Sequence, residues 1–233
     1  MHYKLCAYWN ARKETIDACA ERLARFLSAL SACDVVFTTW FEKSTSRRKA
    51  KQAKIDFTNR ACLLDLLEKG RNRKDIGREV IEELGYHVGM WNGAKSKKMV
   101  GLDVTCGLYS TAPGIGGNCV IMDLPEELGD LQQADRMAGV LTTAATSWEP
   151  DWAGILSLEA MSSPNFSPTV PYVDWMLYLS NTLGYSAKVS EPSLVQPINS
   201  IGQLIVVQQE PVEVDNPVHL ERVKAVQTAL RIN

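Results

Sequence analysis

The side chains able to do chemistry are few and scattered. Two carboxylate pairs stand out, Glu126-Glu127 and Glu149-Pro150-Asp151. Paired carboxylates serve general acid–base catalysis when they converge on one reacting atom. Adjacent residues diverge on any regular element, however, and no positioned His, Lys or Cys accompanies either pair. His2, His87 and His219 lie far apart. His219 sits beside Glu221 and Arg222 on a terminal helix, where exposure to solvent is the expectation. The stretch Gly114-Ile115-Gly116-Gly117 falls short of a dinucleotide fingerprint and reads as a hairpin turn. There is no G-x-S-x-G nucleophile elbow and no G-x-x-x-x-G-K-[ST] phosphate loop. Six cysteines, at positions 6, 19, 33, 62, 106 and 119, contain no C-x-x-C pair. They read as reduced core residues rather than zinc ligands or a disulfide framework. The expectation is a protein that is not an enzyme, with no catalytic residue, no metal and no cofactor.

Tryptophan set among polar residues is the stronger signal. Tyr8-Trp9-Asn10, Trp91-Asn92-Gly93, Trp148 to Trp152, and Trp175 with Tyr178 are the clusters. Indoles of this kind build cores, and at interfaces they become binding hot spots. Trp148 and Trp152 flank Glu149 and Asp151, which would join aromatic anchors to carboxylates.

Apolar periodicity supplies the elements that must hold these residues. Tyr3, Leu5, Ala7 and Trp9 alternate in a strand over 2–9. Ile16, Cys19, Ala20, Leu23, Leu27 and Leu30 share one face of a helix over about 14–30, while Asp17, Glu21 and Arg25 face out. Val35 to Phe41 reads as a strand, and Cys62 to Leu67 as a short helix ending at Gly70. Asp75 is placed as the cap of a helix burying Ile76, Val80, Ile81 and Leu84, with Gly85 as its stop. Strands follow at Tyr86–Trp91, Met99–Tyr109, Asn118–Leu124, Trp152–Ala160, Val173–Leu179 and Gln203–Gln208. A helix is expected over about 131–145. Another begins at Asn216-Pro217 with Leu220, Val223, Val226 and Leu230 inward. Strands in hairpin succession with interspersed helices predict an α+β fold, largely antiparallel, with a helix at the C-terminus. One domain over 1–233 is expected, with a seam near 94–98.

The 233 residues are 45% hydrophobic and 22% charged, and six Trp, seven Tyr and five Phe exclude disorder as the main description. The longest apolar runs, such as Leu204 to Val207, are far short of the roughly 20 residues of a membrane span. The N-terminal residues lack the basic-then-apolar order of a signal peptide, so a cytoplasmic location is expected. The net charge of −2 hides an asymmetry: residues 43–98 carry fifteen basic and seven acidic groups, and residues 99–233 carry five and fifteen. Such asymmetry speaks of partners rather than fold. The basic segment is densest at Arg47-Arg48-Lys49-Ala50-Lys51, without interleaved aromatic residues from Lys43 to Lys54.

These motifs, in this order, resemble the immunity protein 52 family of bacterial polymorphic toxin systems. The resemblance runs through Tyr8-Trp9, Arg12-Lys13-Glu14, Ala20-Glu21-Arg22-Leu23, Gly70-Arg71-Asn72-Arg73, Leu84-Gly85-Tyr86 and Trp91-Asn92-Gly93. It continues through Cys106-Gly107, Asn118, Leu124-Pro125, Trp148 to Trp152, Trp175 to Ser180, and Asn216-Pro217 with His219. It covers nearly the whole chain, apart from the basic loop Lys43 to Lys54. The resemblance implies an antitoxin that binds a cognate toxin, often one delivered by type VI secretion and similar to restriction-endonuclease-like nucleases. It implies no catalytic residue and transfers no interface.

Charge leads to the same partner independently. A nuclease presents basic surface to a phosphate backbone, and an acidic inhibitor can occupy that surface. Asp123, Glu126, Glu127, Asp130, Glu149 and Asp151 are the expected footprint, with Trp148 or Trp152 as anchor. No direct contact with nucleic acid or membrane is expected, and the oligomeric state stays open. The rival reading is a nucleic-acid-binding protein using the basic segment 43–98.

Overall fold

The computed structural model describes residues 2–44, 47–185 and 189–230. The strands are β1 (Tyr3–Trp9), β2 (Trp40–Glu42), β3 (Lys54–Ile55), β4 (Tyr86–Trp91), β5 (Gly101–Cys106), β6 (Asn118–Asp123), β7 (Trp152–Ser157), β8 (Met176–Ser180), β9 (Leu194–Ile198) and β10 (Gly202–Val206). The α-helices are α1 (Ile16–Cys33), α2 (Arg47–Ala50), α3 (Arg60–Lys69), α4 (Ala134–Trp148), α5 (Leu158–Met161) and α6 (Pro217–Leu230). The expected α+β class with antiparallel pairing and a C-terminal helix is what the chain adopts. It folds as two compact units, residues 1–8 with 123–233, and residues 9–122. The stretch 94–98 lies inside the second unit.

The division sorts charge as well as chain. The first unit holds six basic and fourteen acidic residues, and the second nineteen and thirteen. They are called the acidic unit and the basic unit below.

In the acidic unit the strands run in the order β1-β7-β8-β10-β9. Register is fixed by pairs such as Tyr3 with Ser157, Tyr8 with Trp152, Ile155 with Met176, and Val206 with both Met176 and Leu194. Every residue of β7 is buried, which accounts for its continuous small and apolar sequence. α4 packs on β7, β8 and β10 through Met137, Val140, Leu141, Ala144 and Trp148. A fully buried Leu or Met side chain contributes about 1.5–3 kcal/mol. β9 escapes the periodicity because it is an edge strand, exposed at four of five positions and carrying Pro197. β7 stops at Ser157, whose hydroxyl accepts from Ala160 N–H and caps α5, so the expected strand does not reach Ala160.

In the basic unit the order is β3-β2-β4-β5-β6. The Thr15 hydroxyl accepts the Ala18 N–H and starts α1, whose buried face is Cys19, Ala20, Leu23, Phe26, Leu27 and Leu30. The Asn92 amide bonds Val36 O and Lys98 O and accepts from Ala94 and Val100 N–H, which makes the turn after β4. Asn118, fully buried, joins Leu108 N–H and C=O to Asn10 O.

Three sequence expectations are corrected. Residues 35–41 are not one strand. The Asp34 carboxylate accepts the Val36 N–H at 2.8 Å and sets a 3-10 turn over Val35–Phe37, leaving only Trp40–Glu42 extended. The α-helix expected over 76–84 does not form, and only a 3-10 turn over Glu82–Leu84, stopped at Gly85, is helical. Gly77 and Arg78 have φ of 81° and 56°, and two left-handed residues in succession end a right-handed helix. Lys74 N–H to Glu79 O and Ile81 N–H to Asn72 O close a small hairpin instead, and Ile76 is 90% exposed. On α6 the inner face is His219, Val223, Val226 and Leu230, while Leu220 faces solvent.

Candidate functional site

The register gathers one end of the acidic unit. The start of β1, the end of β7, the start of β8 and the end of β10 all meet there. Asp123 and Leu124 of the same unit join them through Leu124 N–H to Tyr3 O and the Lys4–Asp123 ion pair at 2.7 Å. Glu126, Glu127 and Asp130 follow on the connection into α4, all exposed. The start of α4 and the loop after β10 share a shallow depression of about 510 Å³, lined by Gln132, Gln133, Asp135, Gln209, Glu210 and Pro211. Exposed Glu159 on α5 and exposed Glu213 lie close enough to the Tyr3 hydroxyl to act on it electrostatically.

Three connections far apart in sequence, from β6 to α4, from β7 to β8 and from β10 to α6, thus place Asp123, Glu126, Glu127, Asp130, Asp135, Glu159, Glu210 and Glu213 at one strand-end face. Lys4 and Arg222 each pair with one of them. Carboxylates held within a Debye length of about 8 Å add their fields.

A buried polar frame holds this face. Asp174, 3% exposed, accepts the Ser157 N–H at 2.6 Å and the Ser157 hydroxyl at 2.8 Å. Burial pushes its carboxyl from the usual 3.8 up to about 6, opposed by the Ser157 hydrogen bonds. The Tyr3 hydroxyl donates to Val212 O, and Trp175 Nε1 donates to Gln208 O at 3.1 Å. Burial, then Asp174, Glu159 and Glu213, raise the Tyr3 phenol well above its usual value. Arg222 Nη1 donates to Gln208 Oε1 at 3.0 Å and to Glu210 at 3.2 Å. The Glu210 carboxyl is held below its usual range, first by a backbone hydrogen bond, then by Arg222 and His219. His219 is buried rather than solvated, and its Nδ1 accepts the Glu213 N–H at 3.1 Å. It is a structural clasp between α6 and the loop, and nothing in its local sequence announces that.

The expected footprint is therefore divided. Asp123, Glu126, Glu127 and Asp130 fall on this face. Glu149 and Asp151 lie at the other end of α4, whose 15 residues span about 22 Å. Asp151 N–H bonds Tyr8 O there. Glu149 and Asp151 help push the Tyr178 phenol up to about 12, after burial, which is the main cause. Trp148 and Trp152 are 0% and 2% exposed. Trp152 stacks at a tilt on Tyr8 with centroids 5.0 Å apart and donates Nε1 to Pro168 O. Both indoles are core, and neither is presented to a partner in this fold. Glu159, Glu210 and Glu213 were missed because only long-range register brings them to the face.

Among the described residues no His, Cys, Asp and Glu side chains are grouped to hold a metal ion, and no helix is long and apolar enough to cross a membrane. The acidic unit is thus an α+β scaffold that carries a charged strand-end face. The chain belongs to the Immunity protein 52 family, whose family model matches residues 2–232. Its fold is similar to that of a Pseudomonas aeruginosa T6SS protein, with a TM-score of 0.57 and 11% identity over 99% of this chain and 75% of that one. No curated protein matches the chain in sequence. Of the residues that carry the family resemblance, Trp9, Trp91, Asn118, Trp148, Trp152 and Trp175 are buried, while Lys13, Glu21 and Arg73 are exposed.

Proposed function

We propose that this immunity protein binds and neutralises a cognate nuclease effector, restriction-endonuclease-like and delivered by type VI secretion. It acts in the cytoplasm, without catalysis. The observation that carries the reading is the strand-end face on which three connections converge their carboxylates. A nuclease must keep a basic surface for its substrate, and the acidic face competes for it. Opposite fields would speed encounter toward about 10⁸ M⁻¹s⁻¹ at low salt, which matters because free nuclease is lethal. Glu149 and Asp151, at the far end of α4, would serve as a second contact rather than as part of the same patch.

The nucleic-acid reading is weaker on geometry. Within the basic segment Lys43, Lys69, Arg71, Arg73 and Lys74 each face a carboxylate at 3.5 Å or less. Those cations are already partly neutralised by their own unit.

The test is titration into the nuclease toxin encoded beside this protein, following cleavage of a DNA substrate at low and moderate salt. Stoichiometric loss of cleavage is expected, with no binding of DNA by this protein alone. The double substitution Glu126→Lys and Glu127→Lys should slow association about tenfold or more at low salt and flatten its salt dependence. Unchanged association kinetics would place the partner on another surface.

A further inference from the structure

The basic unit carries a feature that its overall charge does not suggest. α1 and α3 pack together, yet beside their N-terminal ends lies a groove of about 510 Å³. It exists because α1 presents Ala18, Ala20 and Ala24 there, side chains too short to fill the space. Phe57 and Leu63 supply apolar lining, and Asp17, Glu21 and Arg60 supply the charge.

Asp17 and Glu21 stand one helical turn apart, so two like charges are neighbours on the surface of α1. Asp17 pairs with Arg60 across the groove. Those two side chains are 57% and 67% exposed, so solvent screens the pair and holding it contributes little. A competing cation can displace Arg60 at small cost. The lining suits a side chain with a charged head and an apolar stem: carboxylates for the head, an aromatic face and alanine methyls for the stem. The volume falls within the usual range of ligand sites. In a unit with nineteen cations and thirteen carboxylates, this acidic, half-apolar groove is a place where a basic protein would be attracted rather than repelled.

We propose that the α1–α3 groove receives an arginine or lysine side chain of a basic protein partner, its cation taken by Asp17 and Glu21 and its stem by Phe57 and the alanines. The partner is the nuclease effector, so this identification rests on the function proposed above, while the groove's chemistry does not. Asp17 also suits the N-terminal turn of α1 by its charge alone, which makes Glu21 the cleaner probe.

The experiment has two arms on the full chain. In the first, a tri-arginine peptide amide is titrated into isotopically labelled protein. Saturable shifts at Ala18, Ala24 and Arg60 are expected, and Glu21→Gln should abolish them. Shifts that are absent, or confined to residues 123–135 and 207–215, overturn the proposal. In the second arm, dissociation from the adjacent toxin is measured for the wild type, Glu21→Gln and Ala24→Trp, with thermal unfolding as the folding control. Glu21→Gln and the groove-filling Ala24→Trp should each speed dissociation about tenfold. A complex that forms normally and is unmoved by both variants refutes the groove alone. A wild type that binds the peptide but not the toxin refutes the proposed function and leaves the groove standing.

Discussion

Asp174 offers the sharpest physical test of the frame behind the acidic face. Its side chain is 3% exposed, and among the described residues its carboxylate accepts from the Ser157 N–H and hydroxyl. Glu159 adds repulsion, and the raised phenol of Tyr3 supplies no positive charge. The folded-state value of about 6 stands above the ordinary 3.8. The folded protein therefore holds a proton between these values that the unfolded chain has released. Stability falls as pH rises through that window, and the loss is complete above the folded value. A rise of that size is worth roughly 3 kcal/mol, of which about 2 kcal/mol is lost between pH 4 and pH 8. Asp174→Asn keeps an oxygen to accept from Ser157 and has no proton to lose. Urea unfolding, followed by Trp fluorescence from pH 4 to pH 8, gives the difference between variant and wild type. The other carboxylates cancel in that difference. It should rise by about 2 kcal/mol in favour of the variant as pH increases. Two curves that stay parallel would refute the claim that burial dominates the Asp174 environment.

Two other substitutions separate structure from surface. Ile76→Ser should change unfolding free energy by less than about 0.5 kcal/mol, because Ile76 lies on an exposed hairpin turn. A buried helical face would instead lose about 2 kcal/mol or more by the same denaturation measurement. Trp148→Ala should cost about 3–5 kcal/mol and weaken toxin binding only in proportion to the unfolded fraction. A variant that unfolds like wild type but fails to bind would return Trp148 to the interface.

The sequence by itself determined the class of fold and most of its core. Alternation placed β1, β4 and β5, and helical spacing placed α1 and the buried face of α4, because these elements bury one face and leave the other wet. Short-range chemistry was legible where one residue dominates it, as with Gly70 ending α3, Asn92-Gly93 turning after β4, and Asn216-Pro217 opening α6. It failed where two local preferences competed. The Asp34 cap overrode β-branched residues at 35–36, and the left-handed Gly77-Arg78 pair broke the pattern at Ile76.

The surface was another matter. Charge counting found that carboxylates dominate the second half of the chain, but not where they stand. Antiparallel register alone brings Glu159, Glu210 and Glu213 beside Asp123, Glu126, Glu127 and Asp130, and the length of α4 alone carries Glu149 and Asp151 away from them. Composition also could not decide which indoles face a partner, since a tryptophan among polar neighbours reads the same at a strand end as at an interface. Only packing decided that Trp148 and Trp152 belong to the core, because burial depends on what lies across the sheet and not on what lies beside a residue in the chain.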